Sequence, residues 1–116
     1  MAGPTLNIGI EEEYQIIDPA TRELRSYVQQ LLEHGQTVLP DQVRPEFLQS
    51  QVEVGTLICD NVKEARHELV RARRSIWEMA KREGLWVAAA GTHPFSSWAH
   101  QEVSPYGRYP ELSRLL

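Results

Sequence analysis

The chain has 116 residues, of which 41% are hydrophobic and 24% are charged, and its formal net charge is −4. This size and composition fit one globular domain, and the acidic balance offers no basic surface for nucleic acid or an anionic membrane. The sequence shows neither a bilayer-length apolar run nor a signal-peptide pattern, and its single cysteine, Cys59, excludes an internal disulfide. We therefore predict a cytoplasmic protein with no membrane or nucleic-acid partner, in which Cys59 is a small buried side chain rather than a nucleophile.

The first predicted element is a strand over residues 5–18. Polar and apolar side chains alternate along it, and the turn signal Asp18-Pro19-Ala20-Thr21 ends it. A short helix over residues 26–34 follows, with Gly35 in the position of its C-cap. Residues 36–43 are a connector, and a second strand is predicted over residues 44–59.

The long helix predicted over residues 61–83 is the clearest element. Asn61 and Glu64 have the spacing of a capping box, apolar residues recur every three or four positions, and Gly84 ends the helix. A buried strand is predicted over residues 85–90, and a polar loop over 91–101. This order favours helices laid on a sheet, with parallel and antiparallel strand pairing both open.

The last predicted helix begins at Glu111 and runs to Leu116 without a cap or a polar tail. We interpret it as the start of a helix in a longer domain. A natural short helix with frayed ends is the alternative.

Acidic side chains form a pattern on the two predicted strands. Glu11 and Glu13 share one face of the first strand, about 7 Å apart, whereas Glu12 interrupts the apolar face. Like charges at this range repel in a partly buried site, and a hard divalent cation such as Mg²⁺ removes that cost. Glu53 lies on the polar face of the second strand, and Glu46 reaches the same site only if a bulge or bend intervenes. A one-sided sheet whose polar face meets water is the simpler alternative.

Two loop residues complete the candidates. His93 follows a predicted buried strand and is a possible metal ligand or phosphate contact, with a role in neither as the alternative. The planar guanidinium of Arg108 suits a phosphate or carboxylate, with an exposed loop arginine as the alternative. The long helix carries arginines that we predict to form a solvated, salt-bridged face, namely Arg66, Arg71, Arg73 and Arg74.

Four segments, in order, resemble the type 2 glutamate–cysteine ligase (carboxylate–amine ligase) family. Residues 9–14 (GIEEEY) are similar to the G-[IV]-E-x-E strand that opens these enzymes, and residues 50–56 (SQVEVGT) to their S-Q-V-E-x-x-T strand. Residues 90–94 (AGTHP), with Trp98, resemble the G-T-H-P-x-x-x-W loop, and residues 105–109 (PYGRY) resemble a segment that ends in R-Y. Together the four segments cover nearly the whole chain.

This resemblance implies an α+β fold of the glutamine-synthetase/guanido-kinase type, with a mostly antiparallel curved sheet and helices on one face. Residues 1–116 would form the N-terminal portion of a single catalytic domain, truncated relative to the family. The implied activity is ATP-dependent amide formation through an acyl phosphate, from glutamate and an amine such as cysteine, within modified amino acid or glutathione-like biosynthesis. The short chain alone is expected to be inactive, and a homodimer is possible.

The resemblance also implies roles for individual residues, with ATP and Mg²⁺ as cofactors. The expected Mg²⁺ ligands are Glu11, Glu13, Glu46 and Glu53. Glu13 and His93 are the expected contacts to ATP, and the expected catalytic residues are Glu53, His93 and Arg108. Two other classes of function remain open, a non-catalytic remnant that serves as an interaction or dimerisation module and a divalent-metal hydrolase that uses the same acidic face.

Overall fold

A computed structural model describes residues 3–116 and shows a four-stranded antiparallel sheet in the order β2-β3-β1-β4. The strands are β1 (Glu11–Ile17), β2 (Val43–Pro45), β3 (Gln51–Gly55) and β4 (Trp86–Ala89). The helices are α1 (Val28–Val38), α2 (Val62–Arg82) and α3 (Tyr109–Leu115), and a 3₁₀ turn covers Trp98–His100. The predicted α+β class with an antiparallel sheet is confirmed.

The register of β1 between its two neighbours decides which side chains share a face. Glu13 lies opposite Glu53 in the β1–β3 pair, and Tyr14 lies opposite Val52 there and opposite Ala89 in the β1–β4 pair. Residues directly opposite each other in an antiparallel pair project from the same face of the sheet. Glu13 and Glu53 therefore project together, and Tyr14 and Val52 project to the other side.

The hydrophobic core lies on the side of the sheet that Tyr14 faces. Strand residues there pack with buried residues of α1 and α2, including Leu31 and Ile76, which are fully buried. α2 begins as its capping pattern predicts, because the Asn61 side chain accepts a hydrogen bond from the Glu64 N–H at 3.0 Å. Across residues 3–116, no helix combines the length and the apolar content that crossing a membrane requires.

The prediction of one strand over residues 44–59 is wrong, because the chain turns back within that segment. β2 ends at Pro45, which has no N–H to donate to a longer ladder. The bend that follows is held by a segment distant in sequence: the Ser104 N–H donates to the Phe47 carbonyl and the Gln49 N–H to the Glu102 carbonyl, both at 2.8 Å. β2 and β3 therefore form an antiparallel hairpin in place of one long strand.

Two other strands differ from their predicted form. β1 is shorter than predicted, because Ile8 pairs with Cys59 as an isolated bridge and the ladder is not continuous from there to Glu11. Cys59 is buried, as predicted. β4 is an edge strand rather than a buried one, and 46% of the Trp86 surface is exposed. A short apolar run does not by itself distinguish an edge position from a central one.

Gly35 lies inside α1, which continues to Val38, so its predicted role as a C-cap is wrong. It is buried against β2, and a Cβ added at this position would lie only 3.0 Å from two side-chain atoms of Val43. The glycine is therefore needed for the close approach of the helix to the strand rather than to end the helix.

We expect Gly35→Ala to destabilise the fold by up to about 2 kcal/mol, because the clash with Val43 costs about 1–3 kcal/mol and the gain in helix propensity is only about 1 kcal/mol. The free energy of unfolding from urea titration measures the effect. Val43→Ala is the matched second change, since it removes the clashing methyl groups, and Gly35→Ala should cost less in that background. A Gly35→Ala protein more stable than wild type would show that the contact relaxes without cost.

Candidate functional site

Three carboxylates converge on the sheet face opposite the core. Glu13 of β1, Glu53 of β3 and Glu46 of the bend after β2 each place one carboxylate oxygen within 4.8 Å of the other two. Glu13 and Glu53 meet because they are directly opposed in the ladder. Glu46 reaches them because the bend after Pro45 turns it onto their face. The structure thus brings together three of the four predicted metal ligands.

The fourth predicted ligand, Glu11, lies at the margin of this group. With Glu13 and Glu53 it lines an open polar depression whose opposite wall is formed by residues 89–91. Glu11 Oε1 lies 3.5 Å from Nη1 of Arg44, and the same nitrogen lies 3.7 Å from Glu53 Oε1. The sequence did not identify Arg44 as a site residue. It lies opposite Glu53 because β2 and β3 form a hairpin, whereas one continuous strand was predicted there.

The electrostatics of the group are unfavourable for the carboxylates alone. Burial raises the pKa of Glu53 above its usual range, and the negative charges of Glu11 and Glu46 raise it further, whereas Arg44 acts in the opposite direction. A bound cation would relieve the same cost.

The donor set fits Mg²⁺, which takes hard oxygen ligands in octahedral geometry at about 2.0–2.1 Å, so that its ligands lie about 3 Å apart when adjacent and about 4.2 Å apart when opposite. The oxygens of Glu13, Glu46 and Glu53, which lie within 4.8 Å of one another, could reach that range through small side-chain rotations. These three residues are the ones that could hold the ion, with Glu11 beside them.

The structure does not bring His93 into the carboxylate group. Its Nδ1 accepts hydrogen bonds from the N–H of Ser96 at 3.0 Å and of Phe95 at 3.3 Å. Nε2 lies 2.8 Å from the Arg22 carbonyl, so this nitrogen carries the hydrogen and the ring is neutral. Ligation of a metal through either nitrogen would require one of these contacts to break.

Gln15 holds the loop that contains His93 beside the carboxylates. This buried side chain, two residues beyond Glu13 on the same strand face, accepts hydrogen bonds from the N–H groups of Thr92 and His93, both at 3.1 Å, when its amide oxygen points at the loop. A Cβ at Gly91 would lie 3.9 Å from Glu13 Oε2, so the loop passes directly beside the site. Strand alternation from Glu13 puts Gln15 on the polar face, but its partners lie far along the chain and leave no local signal in the sequence.

Arg108 does not line the polar depression that holds the carboxylates. It is exposed and occupies the N-cap position of α3, next to Tyr109. The Tyr109 ring packs edge-on against Phe47 with centroids 5.8 Å apart. Burial, followed by the negative charge of Glu46, raises the pKa of Tyr109. α3 therefore begins beside the carboxylate group and sets Arg108 near it.

Glu12 projects to the opposite side of the sheet, where Arg73 of α2 binds it in a bidentate pair. Arg73 Nε lies 2.9 Å from Oε2 and Nη2 lies 2.5 Å from Oε1, and the Tyr14 hydroxyl also donates to Glu12. The hydrogen bonds from Arg73 lower the pKa of Glu12. Arg73 is therefore exposed and salt-bridged as predicted, but its partner lies on β1, so its guanidinium joins the helix to the sheet. Arg71 does form a salt bridge on its own helix, with Glu68 at 2.9 Å.

Comparison with known proteins places this arrangement in context. The model of glutamate–cysteine ligase family 2 matches residues 7–115 of the chain. A protein of Herpetosiphon aurantiacus is 59% identical over 102 residues, and one of Chloroflexus aggregans is 60% identical over 102 residues; each alignment covers 88% of this chain and 26% of the relative. A protein of Solibacter usitatus is 47% identical over 107 residues, covering 91% of this chain and 28% of the relative. All three are provisionally named glutamate–cysteine ligase 2. The chain spans about a quarter of their length.

Proposed function

The chain belongs to the glutamate–cysteine ligase family 2, and on that premise we propose that it supplies the magnesium-binding part of an ATP-dependent carboxylate–amine ligase active site. The observation that carries the proposal is the convergence of one oxygen each from Glu13, Glu46 and Glu53 within 4.8 Å. Three separate segments contribute these oxygens, and a cation offsets the cost of holding them together.

The residues of the site take distinct roles in this proposal. Glu13, Glu46 and Glu53 hold Mg²⁺, with Glu11 as a further ligand at the margin. The ion supplies positive charge that offsets the charge of the ATP phosphates during transfer. Arg108, at the N-cap of α3, binds an anionic group through its planar fork, either a phosphate or the carboxylate of an amino acid.

His93 contributes to this site through the loop that it anchors. Both of its ring nitrogens are engaged by backbone groups, and the same loop is fixed to β1 by Gln15. We assign His93 the task of holding residues 91–96 where they border the nucleotide site. In this assignment its catalytic contribution is positional, with the imidazole neutral.

The proposed reaction has two steps. An oxygen of the glutamate carboxylate attacks the γ-phosphorus of ATP, which forms an acyl phosphate and releases ADP. The amine nitrogen of cysteine then attacks the acyl carbon, forms the amide bond, loses a proton and expels inorganic phosphate. The assignment of glutamate and cysteine follows the names of the relatives, and a cytoplasmic enzyme of this class acts on small soluble substrates.

Because the chain spans about a quarter of its relatives, we propose that the complete site needs further residues of a longer domain and that the 116-residue chain alone has little or no ligase activity. The corresponding segment of the Herpetosiphon aurantiacus relative provides the test, since this chain can replace it in a chimera. We expect the chimera to release ADP over repeated turnovers only when both glutamate and cysteine are present, because the amine is needed to consume the acyl phosphate. The isolated chain should bind Mn²⁺ in calorimetry but release no ADP.

Two outcomes would contradict the proposal. One is a chimera that hydrolyses ATP at the same rate without amino acids, and the other is an isolated chain that binds no divalent ion. Hydrolysis of an ester or amide without ATP would instead indicate a metal-dependent hydrolase.

A further inference from the structure

We propose that Arg44 is an internal counter-cation of the carboxylate site. In this view its guanidinium neutralises Glu11 and Glu53 in the metal-free protein and gives way when a divalent ion binds. Arg44 thereby sets the affinity of the site for the ion. This inference rests on the proposed metal site and concerns a residue outside its expected ligands.

The position of Arg44 supports this role. It lies directly opposite Glu53 in the β2–β3 pair, so its side chain projects over the same face of the sheet. Nη1 lies 3.5 Å from Glu11 Oε1 and 3.7 Å from Glu53 Oε1, which places one cationic nitrogen between two carboxylates. An ion held by the Glu53 oxygen would occupy space beside that nitrogen, so the two cations compete for one carboxylate.

The contacts of Arg44 are loose, which makes it displaceable. Its distances exceed the 2.7–2.9 Å of a strong charge-assisted hydrogen bond, whereas the Arg73–Glu12 pair in the same protein is bidentate, with an Nε–Oε2 distance of 2.9 Å. The Arg44 side chain is also 54% exposed. It can therefore leave the carboxylates for solvent without burying its charge.

The surroundings leave the guanidinium room to move. β2 is one of the two edge strands of the sheet, so no further strand within residues 3–116 covers Arg44 from that side. Gly55 provides no side chain beside it, since a Cβ there would be in ordinary contact with the guanidinium at 3.9–4.0 Å. Arg44 therefore acts mainly through its charge and is not locked in place by packing.

Titration with Mn²⁺ alone, without nucleotide and at low ionic strength, tests the inference. We expect Arg44→Gln to bind Mn²⁺ about three- to tenfold more tightly than wild type in calorimetry, because a competing charge has been removed. The gain should shrink in added salt, which screens the charge of an exposed guanidinium. Arg44→Lys, which keeps the charge, should remain close to wild type.

Arg66→Gln is the matched control, because it removes the same charge from an exposed position on α2, where no salt bridge of residues 3–116 includes it. An affinity for Mn²⁺ in Arg44→Gln that is equal to or weaker than that of Arg66→Gln would overturn the role of Arg44.

Glu53→Gln distinguishes this failure from a failure of the metal site. If Glu53→Gln loses binding while Arg44→Gln is unchanged, only the present inference fails. If wild type and both variants bind no Mn²⁺, or Glu53→Gln binds as wild type does, the metal site and the inference fail together.

Discussion

Glu53→Gln in the chimera should lower the rate of ADP release at least about 100-fold. Mutation of a residue that only orients a metal ligand typically lowers activity about 10–100-fold, and loss of a ligand itself should have a larger effect. Glutamine keeps the shape of the side chain but removes the charge that binds the ion. Among the three converging carboxylates, Glu53 sits in the middle strand of the group, between β2 and β1. A coupled assay of ADP release at saturating Mg²⁺ measures the effect.

Glu78→Gln is the control for this experiment, since Glu78 is exposed on α2, on the far side of the sheet from the carboxylates. It loses the same charge and should retain the wild-type rate. A Glu53→Gln chimera with undiminished turnover would remove Glu53 from the metal site and leave the proposal without its central ligand.

The same substitution should have the opposite effect on the metal-free fold. Burial is the main cause that raises the pKa of Glu53 in the folded protein above its value in the unfolded chain. The protonated side chain is therefore compatible with the fold at low pH, and stability is lost as the pH rises through the folded-state pKa and the carboxylate becomes charged. Thermal unfolding in the presence of a chelator should therefore show Glu53→Gln to be more stable than wild type at neutral pH. The difference should disappear as the pH falls below the unfolded pKa of a glutamate. This result would separate loss of activity from loss of folding.

The loss of activity and the gain of metal-free stability expected for Glu53→Gln indicate that the site forms at some cost to the stability of the fold. Glu11, Glu13, Glu46 and Glu53 share one face, and only Arg44 offsets their charge within salt-bridge distance among residues 3–116. Functional sites commonly retain such unfavourable groupings because the bound ligand compensates for them. A carboxylate group that serves no ligand has no comparable reason to stay close together.

The part of this site that follows from local pattern was predictable from the sequence. Side chains alternate along a strand, so Glu11 and Glu13 had to share a face, and Glu53 was expected on a polar face for the same reason. The position of Glu46 was not predictable, since it depends on the turn after Pro45. That turn is held by backbone hydrogen bonds with Glu102 and Ser104, and contacts over such a long sequence separation leave no local periodicity.

Other differences have the same origin in tertiary contacts. Gly35 carries a helix-ending signal, yet α1 continues through it because the lack of a side chain allows Val43 to approach. His93 was a candidate ligand by residue type, but the backbone groups that engage its ring belong to the turn at Arg22 and to its own loop. Residue type therefore identified the right segments, while the partners of each side chain were decided by the fold.

The second large effect is expected from Ile76→Ala. Ile76 is fully buried in the core between α2 and the sheet, and truncating such a side chain costs about 2–5 kcal/mol through lost burial and the cavity that remains. For a domain of this size, that corresponds to a fall in the melting temperature of roughly 10 °C or more. Val70→Ala on the same helix is the control, because Val70 is 47% exposed and should cost less than about 0.5 kcal/mol.

The response of Ile76→Ala to metal tests whether the site and the core are energetically separate. An ion that binds only the folded protein stabilises it by an amount set by its concentration and dissociation constant, whatever the starting stability. Because the carboxylates and Ile76 lie on opposite faces of the sheet, the two effects should add. Saturating Mn²⁺ should therefore increase the free energy of unfolding of Ile76→Ala as much as that of wild type. A clearly smaller increase would mean that the packing of α2 against β1 and β4 also sets the geometry of Glu13 and its partners, so that core and site form one cooperative unit.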